Sequence, residues 1–493
     1  MSHPETISAK NDGIELERAE DATSCDYINV KGRDKALDLL ANSAVSFDPN
    51  SPEARRVRWK IDMRILPMIF VIYCLQLMDK NSLSFAAIMG VKEDTNLTSS
   101  QYSWLGSLVY FGYLGGDIPA TYLMQRVSLS KYLSVMCMIW GVIVAFHAFC
   151  HDFSSLAAVR FFLGAIEVST VPVAIYITGA FYTKEEQVTR VALWYTTSGW
   201  AAVFGGFFAW AIYHASSFRW QGLFILYGSM TFVTGVFLFF FLVASPTDAK
   251  WLTEEEKVIA LERVRQNKTG TEVWEFSWPQ LREALLDVRL YLIFFLLVAS
   301  GMPNGGLTAF GPTIVTGFGY DVPTTQLLNM GSGASQVAGT FLALFVAKKT
   351  SRTFAGIFTL FLACVGCAMM LGIPSSNTGA RYGGYVLVYQ SGSTKKFAFG
   401  CVYQLGYAVG NIIGPQTYRA KDAPNYYPAK YTMLAFFIVN AILIGLYGLI
   451  HYTWNKKRED QDRSQPEDVP QAMENEEFMD LTDFQLRSFR YPI

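Results

Sequence analysis

Twelve apolar runs separated by short polar segments fill the sequence between residues 65 and 454. A helix needs about 20 apolar residues to cross the roughly 30 Å hydrocarbon core of a membrane, and all but one of the runs reach about that length. Charged residues make up 16% of the chain, whereas a soluble domain usually contains about 25%. We therefore predict an all-α membrane protein with about 12 transmembrane helices and the lipid bilayer as its solvent. The runs are Ile65–Ala87, Tyr102–Met124, Tyr132–Phe149, Leu156–Phe181, Val191–Tyr213, Leu223–Val243, Leu290–Gly317, Leu327–Ala347, Phe354–Ile373, Tyr382–Gln390, Phe397–Tyr418 and Tyr431–Trp454.

Polar segments divide the chain into five parts. Two bundles of six runs, at 61–244 and 290–454, are joined by a hydrophilic linker at 245–289 and flanked by polar tails at 1–60 and 455–493. Two similar halves are typical of secondary transporters, whose substrate site lies near the bilayer midplane between the repeats. The division therefore favours a transporter over a channel or a membrane enzyme.

Composition excludes several other function classes. The net charge is −1 and no basic stripe is present, so nucleic acid is not an expected partner. The seven cysteines are an odd number, and Cys364 and Cys367 lie in an apolar run without a second pair of ligands. This pattern predicts neither a disulfide framework nor a metal site. The five histidines accompany no nucleophile and base arrangement, so we expect no enzyme activity and no cofactor.

Lysine and arginine residues near the ends of the runs predict the orientation, because such residues favour the cytoplasmic side. Basic clusters precede the first run, follow the last one and lie between alternate pairs of runs. We therefore expect a multi-pass protein with both termini in the cytoplasm. Arg419, Lys421 and Lys430 lie between the last two runs and fall outside in this arrangement, as an exception to the rule.

The tenth run is short. The sequence between Arg381 and Lys395 leaves about 13 residues, or roughly 20 Å of helix. We favour a full or partial crossing, because eleven crossings would move the basic residues at 456–458 to the outside.

Charges inside the apolar runs are the main candidates for function, because each costs about 3 kcal/mol at the bilayer centre unless it is paired or faces a cavity. Asp79 and Lys80 lie in the first run, and Arg160 and Glu167 lie in the fourth. Arg160 and Glu167 are two helical turns apart, on one face and about 10 Å from each other along the axis. A carboxylate beside a cation in a cavity can exchange a proton, and the cations attract an anion. We interpret Glu167 as a proton carrier, and Lys80 and Arg160 as substrate ligands.

Structural roles remain as alternatives for these charges. Asp79 and Lys80 could neutralise each other, and Arg160 could extend its guanidinium towards the membrane interface. Asp117, in the second run, is interpreted as a cap or an interhelical contact and is left out of the site.

Neutral polar residues in the second half lie where glycine and proline interrupt the runs, within Gly301–Gly306 and Gly406–Gln416. Such interruptions free backbone groups that must face protein or a cavity. We predict that Asn304, Asn411 and Gln416 are neutral substrate ligands, with interhelical hydrogen bonds as the alternative.

Several motifs occur together in this chain. They are Leu77–Ala86, Tyr110–Leu114, Gln125-Arg126 with Lys131–Leu133, Arg160–Gly164 with Glu167, Tyr182–Gln187 and Gly410–Gln416. Over residues 55–460 the combination resembles the major facilitator superfamily, specifically its anion:cation symporters and, within them, the fungal allantoate permease group. The resemblance implies that Asp79 and Glu167 carry protons and that Lys80 and Arg160 serve the substrate or gating. Compared with that group, the segment between Tyr389 and Thr394 is shortened.

We therefore expect a monomeric symporter of the plasma membrane that moves protons and a small organic anion inward by alternating access. Candidate cargoes are allantoate or another ureido acid, a dipeptide and a vitamin-like carboxylate. Two alternatives remain. One is a non-transporting nutrient sensor of the same fold that signals through its cytoplasmic tail, and the other is a defective transporter with a truncated tenth span.

Overall fold

The computed structural model describes residues 51–215, 218–265, 282, 285–390 and 400–464. This part of the chain is built from helices and contains no β-strand, which confirms the predicted all-α fold. Helices are the expected solution in lipid, because each one satisfies its backbone hydrogen bonds within its own segment.

Nine helices of the first half are described. Their starts follow local sequence, because a polar side chain at the N-cap binds a backbone N–H that the helix leaves free. Ser51 accepts a hydrogen bond from the Ala54 N–H at 3.1 Å, and Thr98 and Gln101 form a capping box. The helices are α1 (Pro52–Ile88), α2 (Val91–Asp94), α3 (Ser99–Arg126), α4 (Leu129–Phe146), α5 (Phe153–Glu167), α6 (Thr170–Phe181), α7 (Lys184–Tyr195), α8 (Thr197–Ala215) and α9 (Arg219–Phe241).

The described part of the linker and second half adds seven helices. One helix lies in the linker, with three glutamates in its first turn, where acidic groups complement the helix dipole. The first and last long helices of the chain extend beyond the predicted bundle boundaries at 61 and 454. The helices are α10 (Glu254–Arg265), α11 (Val288–Thr316), α12 (Val322–Lys349), α13 (Arg352–Gly372), α14 (Thr378–Tyr389), α15 (Gly400–Gln416) and α16 (Tyr427–Ser464).

Eight stretches of the described chain are long and apolar enough to cross a membrane. They include α1, α4, the α5–α6 pair, α9, α11, α12, α13 and α16. The other four predicted spans coincide with α3, with α7 and α8 together, with α14 and with α15. Helix α14 has 12 residues, which gives about 18 Å of helix. Helix α14 lies within the predicted short tenth span, and residues 391–399 lie outside the described part.

Each half packs its helices in pairs. In the first half α4 lies against α9 and α3 against α5, and in the second half α11 lies against α15 and α13 against α16. Two further pairs, α8 with α12 and α3 with α15, join the halves. Glycines allow this close approach, since a Cβ on Gly199 would lie 2.5 Å from the carbonyl oxygen of Gly333. Small residues therefore bring α8 and α12 close together at the contact between the halves.

Candidate transport site

A buried carboxylate, Glu167, forms the centre of the charged site. It is the last residue of α5 and is 1% exposed. Lys80 Nζ on α1 lies 3.1 Å from its Oε1, and the Tyr113 hydroxyl on α3 donates to the same oxygen at 2.8 Å. These two donors stabilise the negative charge of the buried carboxylate.

Glu167 retains capacity for another partner. Its Oε2 is buried and accepts no hydrogen bond from the described residues. Gln76, one turn before Lys80 on α1, donates to the Glu167 backbone oxygen at 3.4 Å. Lys80 Nζ also lies 5.0 Å from the centroid of the Tyr113 ring, within the range of a cation–π contact. The site thus joins α1, α3 and α5 around one carboxylate with a free oxygen, which is the group that a proton would occupy.

Asp79 binds a different partner from Lys80, although the two residues are adjacent. Its Oδ2 accepts a hydrogen bond from the indole N–H of Trp140 on α4 at 2.8 Å, and its Oδ1 is buried without a partner among the described residues. Lys80 is paired with Glu167 instead. The alternative in which Asp79 and Lys80 neutralise each other is therefore not the pairing that forms.

Arg160 lies in the interior of the protein. Its side chain is 2% exposed, and its Cζ lies 5.8 Å from the centroid of the Phe224 ring. Nε and Nη2 make no hydrogen bond within the described part of the chain. A buried guanidinium with two free donors is suited to an anionic ligand, because it presents a fork that matches a carboxylate.

Lys80 and Arg160 line one cavity of about 20 Å³, together with residues from both halves. That volume holds about one water molecule. Helices α3 and α11 supply most of the remaining walls. The other lining residues are Leu83, Leu105, Gly106, Val109, Tyr110, Gly305, Thr308 and Ala309. Both predicted cationic ligands therefore line one small cavity at the contact between the halves.

The neutral residues predicted in the second half occupy two different places. The Tyr407 hydroxyl donates to Asn304 Oδ1 at 3.2 Å, and Asn411 Nδ2 donates to the Tyr407 backbone oxygen at 2.8 Å. The Tyr407 ring lies 6.0 Å from that of Tyr110, which lines the cavity. Asn304 and Asn411 are thus near the charged site. Gln416 instead donates to Ser107 of α3 at 3.1 Å, so its amide forms an interhelical hydrogen bond.

Three residues that contact the charged side chains were not among the predicted site residues, namely Gln76, Tyr113 and Trp140. All three are uncharged, so their burial in a membrane helix costs much less free energy than burial of an ionic residue. They therefore do not stand out in the sequence as ionic residues do. Gln76 had a usable signal, because it lies four residues before Lys80 and hence on the same helical face. Among the described residues, no group of three or more His, Cys, Asp or Glu is placed to hold a metal ion.

The chain has counterparts among known proteins. A family model described as Major Facilitator Superfamily matches residues 69–415. The chain belongs to the Major Facilitator Superfamily. It is accordingly a multi-pass membrane transporter for a small molecule.

Fungal transporters are among the relatives of this major facilitator, which confirms the predicted resemblance to the allantoate permease group. An uncharacterized transporter of Schizosaccharomyces pombe is 35% identical, with 92% of this chain and 90% of the relative covered. The allantoate permease of Saccharomyces cerevisiae is 33% identical, with 95% and 91% covered. The thiamine pathway transporter of the same yeast is 31% identical, with 99% and 97% covered.

A solved structure supports the fold of this major facilitator. The crystal structure of a bacterial homologue of the human lysosomal transporter Spinster aligns with a TM-score of 0.52 at 15% sequence identity. The alignment covers 83% of this chain and 86% of the bacterial one. At this identity the similarity concerns the fold alone.

A cluster of hydrogen bonds joins the halves of this major facilitator at one end. In the described part of the chain, these bonds connect the first turns of α3 with α11 and with the end of α15. Lys92 of α2 adds a cation–π contact, with Nζ 5.7 Å from the Phe310 ring centroid. The bonds are Tyr102 to the Ala309 oxygen at 2.6 Å, Ser103 to the Tyr418 oxygen at 3.5 Å, Ser107 to the Ile412 oxygen at 2.8 Å, and Gln416 to Ser107 at 3.1 Å.

Proposed function

We propose that this chain is a proton-coupled symporter that carries a small organic anion across the plasma membrane by alternating access. One observation carries the proposal. The Lys80–Glu167 ion pair adjoins a cavity that Lys80 shares with the free donors of Arg160. Lys80 can therefore contact both the Glu167 carboxylate and a cargo anion in the cavity. Binding of a proton to Glu167 and binding of the cargo then influence each other.

Coupling follows from competition for Lys80. A cargo carboxylate that enters the cavity binds Arg160 and Lys80 and adds a second negative charge beside Glu167. Two neighbouring carboxylates repel each other, so a proton on Glu167 makes binding of the anion more favourable. The bound anion in turn makes protonation of Glu167 more favourable. The proton and the anion would then cross together. Asp79, held by Trp140, is proposed as a second protonation site.

The direction of access follows from the proposed orientation. With both termini in the cytoplasm, the hydrogen-bonded end of α3 faces outside. The bonds from Ser107 and Gln416 would then belong to a closed outer gate. In this account Gln416 has a gating role, whereas Asn304 and Asn411 remain proposed as neutral cargo ligands on the inner side of that gate.

The cargo class combines two arguments. The buried Arg160 and the partly buried Lys80 favour a carboxylate, and Asn304 with Asn411 offers amide groups for a neutral polar part of the same molecule. Similarity to an allantoate permease and a thiamine pathway transporter is consistent with small, nitrogen-rich cargo. We therefore propose a ureido acid, a dipeptide or a vitamin-like carboxylate.

Uptake in cells that lack their own permease tests the proposal. Labelled allantoate, competed with carboxylates and dipeptides, should enter faster at acidic than at neutral external pH, and an uncoupler should abolish the difference. The best competitor identifies the cargo class. Absence of uptake at either pH, with the protein shown at the cell surface, would contradict transport and favour the sensor or defective-transporter alternative that the 12-residue α14 raises.

A further inference from the structure

The basic residues between the last two predicted spans, which are an exception to the cytoplasmic preference of Lys and Arg, do not all lie in a solvent-exposed loop. Arg419 and Lys421 are exposed, but Lys430 is 1% exposed and lies in the first turns of α16. Arg381, in the first turn of α14, is likewise 1% exposed. Two cations from two helices are therefore buried together at one end of the second half.

One aromatic ring lies against both cations. The Phe318 ring centroid is 4.7 Å from Arg381 Cζ and 5.1 Å from Lys430 Nζ. Lys430 also lies 5.6 Å from the Tyr427 ring centroid. Ring faces attract cations, but they replace only a part of the hydration that a buried charge loses. The aromatic contacts therefore compensate the two positive charges only in part.

Carboxylates do not supply the missing compensation. In the part of the chain that the structure describes, no Asp or Glu oxygen forms an ion pair within 4.0 Å of a side-chain nitrogen of Arg381 or Lys430. Asp422, whose segment precedes α16, keeps a buried Oδ2 without a partner among the same residues. Buried charges in proteins are normally paired, because two like charges out of water repel each other as well as losing hydration.

Hydrogen-bond donors at this place are arranged for an acceptor. Arg381 Nη2 donates to Asn425 Oδ1 at 3.2 Å, while Arg381 Nε is buried without a partner among the described residues. Lys430 Nζ lies against the same Phe318 ring as the Arg381 guanidinium. One anion could accept from these donors and lie between the positive charges.

We propose that Arg381, Lys430 and Asn425 bind a small monovalent anion, either chloride or a carboxylate group, at this end of the second half. The site is separate from the cavity at Lys80 and Arg160. It does not depend on proton coupling or on transport, since the two buried charges exist in the folded chain itself. With both termini in the cytoplasm, it would face the outer solution.

Thermal unfolding of the purified full-length chain tests this site. Chloride, or acetate in a parallel series, replaces a bulky organic sulfonate at constant ionic strength and pH. A ligand that binds only the folded protein raises the melting temperature in a saturable way, so we expect a rise of several degrees in at least one series. A response to chloride alone identifies an inorganic anion, and a response to acetate identifies carboxylate recognition.

Variants separate the site from general salt effects. Lys430→Met and Arg381→Gln should lose the anion-dependent rise, whereas Lys430→Arg, which keeps the charge, should retain it. Lys421→Gln removes an exposed basic residue of the same segment and should also retain the rise. In the sulfonate buffer, Lys430→Met should melt no lower than the wild type, because one of two like buried charges has gone.

Three results would overturn the proposal. In the first, the melting temperature of the wild type responds to neither anion. In the second, the full response survives in both Lys430→Met and Arg381→Gln. In the third, the response is lost in Arg160→Ala but kept in those two variants. The last result would assign the bound anion to the central cavity. None of these readings requires uptake, so the outcome is independent of the proposed function.

Discussion

Lys80 and Glu167 form a buried ion pair between α1 and α5, with 3.1 Å between Nζ and Oε1. The preceding residue, Asp79, binds Trp140 of α4 instead. Adjacent residues of α1 thus connect it to two other helices of the first half through opposite charges. Because helix α1 also packs against α11 of the second half, a change in the charge of Glu167 can affect the contact between the halves.

Replacing Glu167 tests its role as a proton carrier. Glu167→Gln retains the shape and can still accept from Tyr113 through its amide oxygen, but it cannot release a proton. We expect pH-driven accumulation of cargo to be abolished, while exchange of labelled for unlabelled cargo continues. Accumulation is measured as the ratio of internal to external label, and exchange is measured by counterflow in vesicles.

A matched control for this change is available in α3. Asp117 is a partly buried carboxylate for which we propose no role in the site, so Asp117→Asn should leave accumulation intact. If Glu167→Gln accumulated cargo as well as that control, the proton-carrier role of Glu167 would be wrong.

Removing the Arg160 guanidinium tests the anion site. Arg160→Ala removes a charged hydrogen-bond donor from the cavity, and such a bond contributes about 1.5 to 3 kcal/mol. We expect the affinity for an anionic cargo to fall roughly 10- to 100-fold. Competition by its neutral amide analogue should change little. Equal losses for the anion and the amide would show that Arg160 has a structural role.

The spans and the ionic residues within them can be identified from the sequence, because a membrane requires long apolar runs and penalises charges inside them. An apolar run of membrane length is rare outside membrane-spanning helices, and an ionic residue inside it is expensive. Asp79, Lys80, Arg160 and Glu167 stand out for that reason, and the structure places Lys80 beside Glu167 and Arg160 in the same cavity as Lys80.

Partner choice could not be predicted in the same way. Spacing shows that Arg160 and Glu167 share a face, but it does not show that Lys80 crosses to Glu167 while Asp79 takes Trp140. Such pairing depends on how the helices pack. The burial of Lys430 could not be predicted for the same reason, since its neighbours in sequence indicate a polar loop.

The contact between α8 and α12 should be sensitive to a single methyl group. A Cβ on Gly199 would lie 2.5 Å from the Gly333 oxygen, and overpacking of this kind costs about 1 to 3 kcal/mol. Gly199→Ala should lower both the melting temperature and the uptake rate. Gly179→Ala is the control, because a Cβ there meets nothing within 4 Å. Equal behaviour of the two variants would argue against a tight contact between the halves.

The outer gate can be tested at Ser107. Ser107→Ala removes its bond to the Ile412 oxygen and the bond from Gln416, each contributing about 0.5 to 1.5 kcal/mol. We expect the outward-open state to become more populated. A cysteine introduced at Thr308, which lines the cavity, should then react faster with a membrane-impermeant thiol reagent added outside.

Ser335 offers a closely matched control for the gate. It donates to the Val386 oxygen and accepts from Gln390, so it makes the same two kinds of bond within the second half. Ser335→Ala should leave the labelling rate unchanged. A similar increase in both variants would indicate general loosening, and no increase in Ser107→Ala would contradict the gate.

Acid should weaken the attachment of the linker helix α10. Burial raises the pKa of Glu256, but hydrogen bonds from Lys60 and from the Thr253 N–H outweigh it and hold the pKa below its ordinary value of 4.5. A carboxyl whose pKa is lowered on folding stabilises the fold above its unfolded pKa, and this contribution is lost as pH falls through the folded value. Hydrogen exchange of α10, corrected for the pH dependence of intrinsic amide exchange, should therefore accelerate below the ordinary Glu range.

The matched variants for this pH effect are Glu256→Gln and Glu255→Gln. Glu256→Gln should exchange rapidly at neutral pH already and show little further change in acid. Glu255 is exposed, so Glu255→Gln should behave like the wild type. An acid-induced acceleration that persists unchanged in Glu256→Gln would assign the effect to another group.

Proton flux in proteoliposomes tests the central claim most directly. The purified chain is reconstituted with a pH-sensitive dye inside, and an anionic cargo that supports uptake is added outside without an imposed pH gradient. We predict cargo-dependent acidification of the lumen in the wild type and none in Glu167→Gln, although that variant still exchanges cargo. Cargo entry without acidification in the wild type, or acidification that persists in Glu167→Gln, would contradict proton coupling through the Lys80–Glu167 pair.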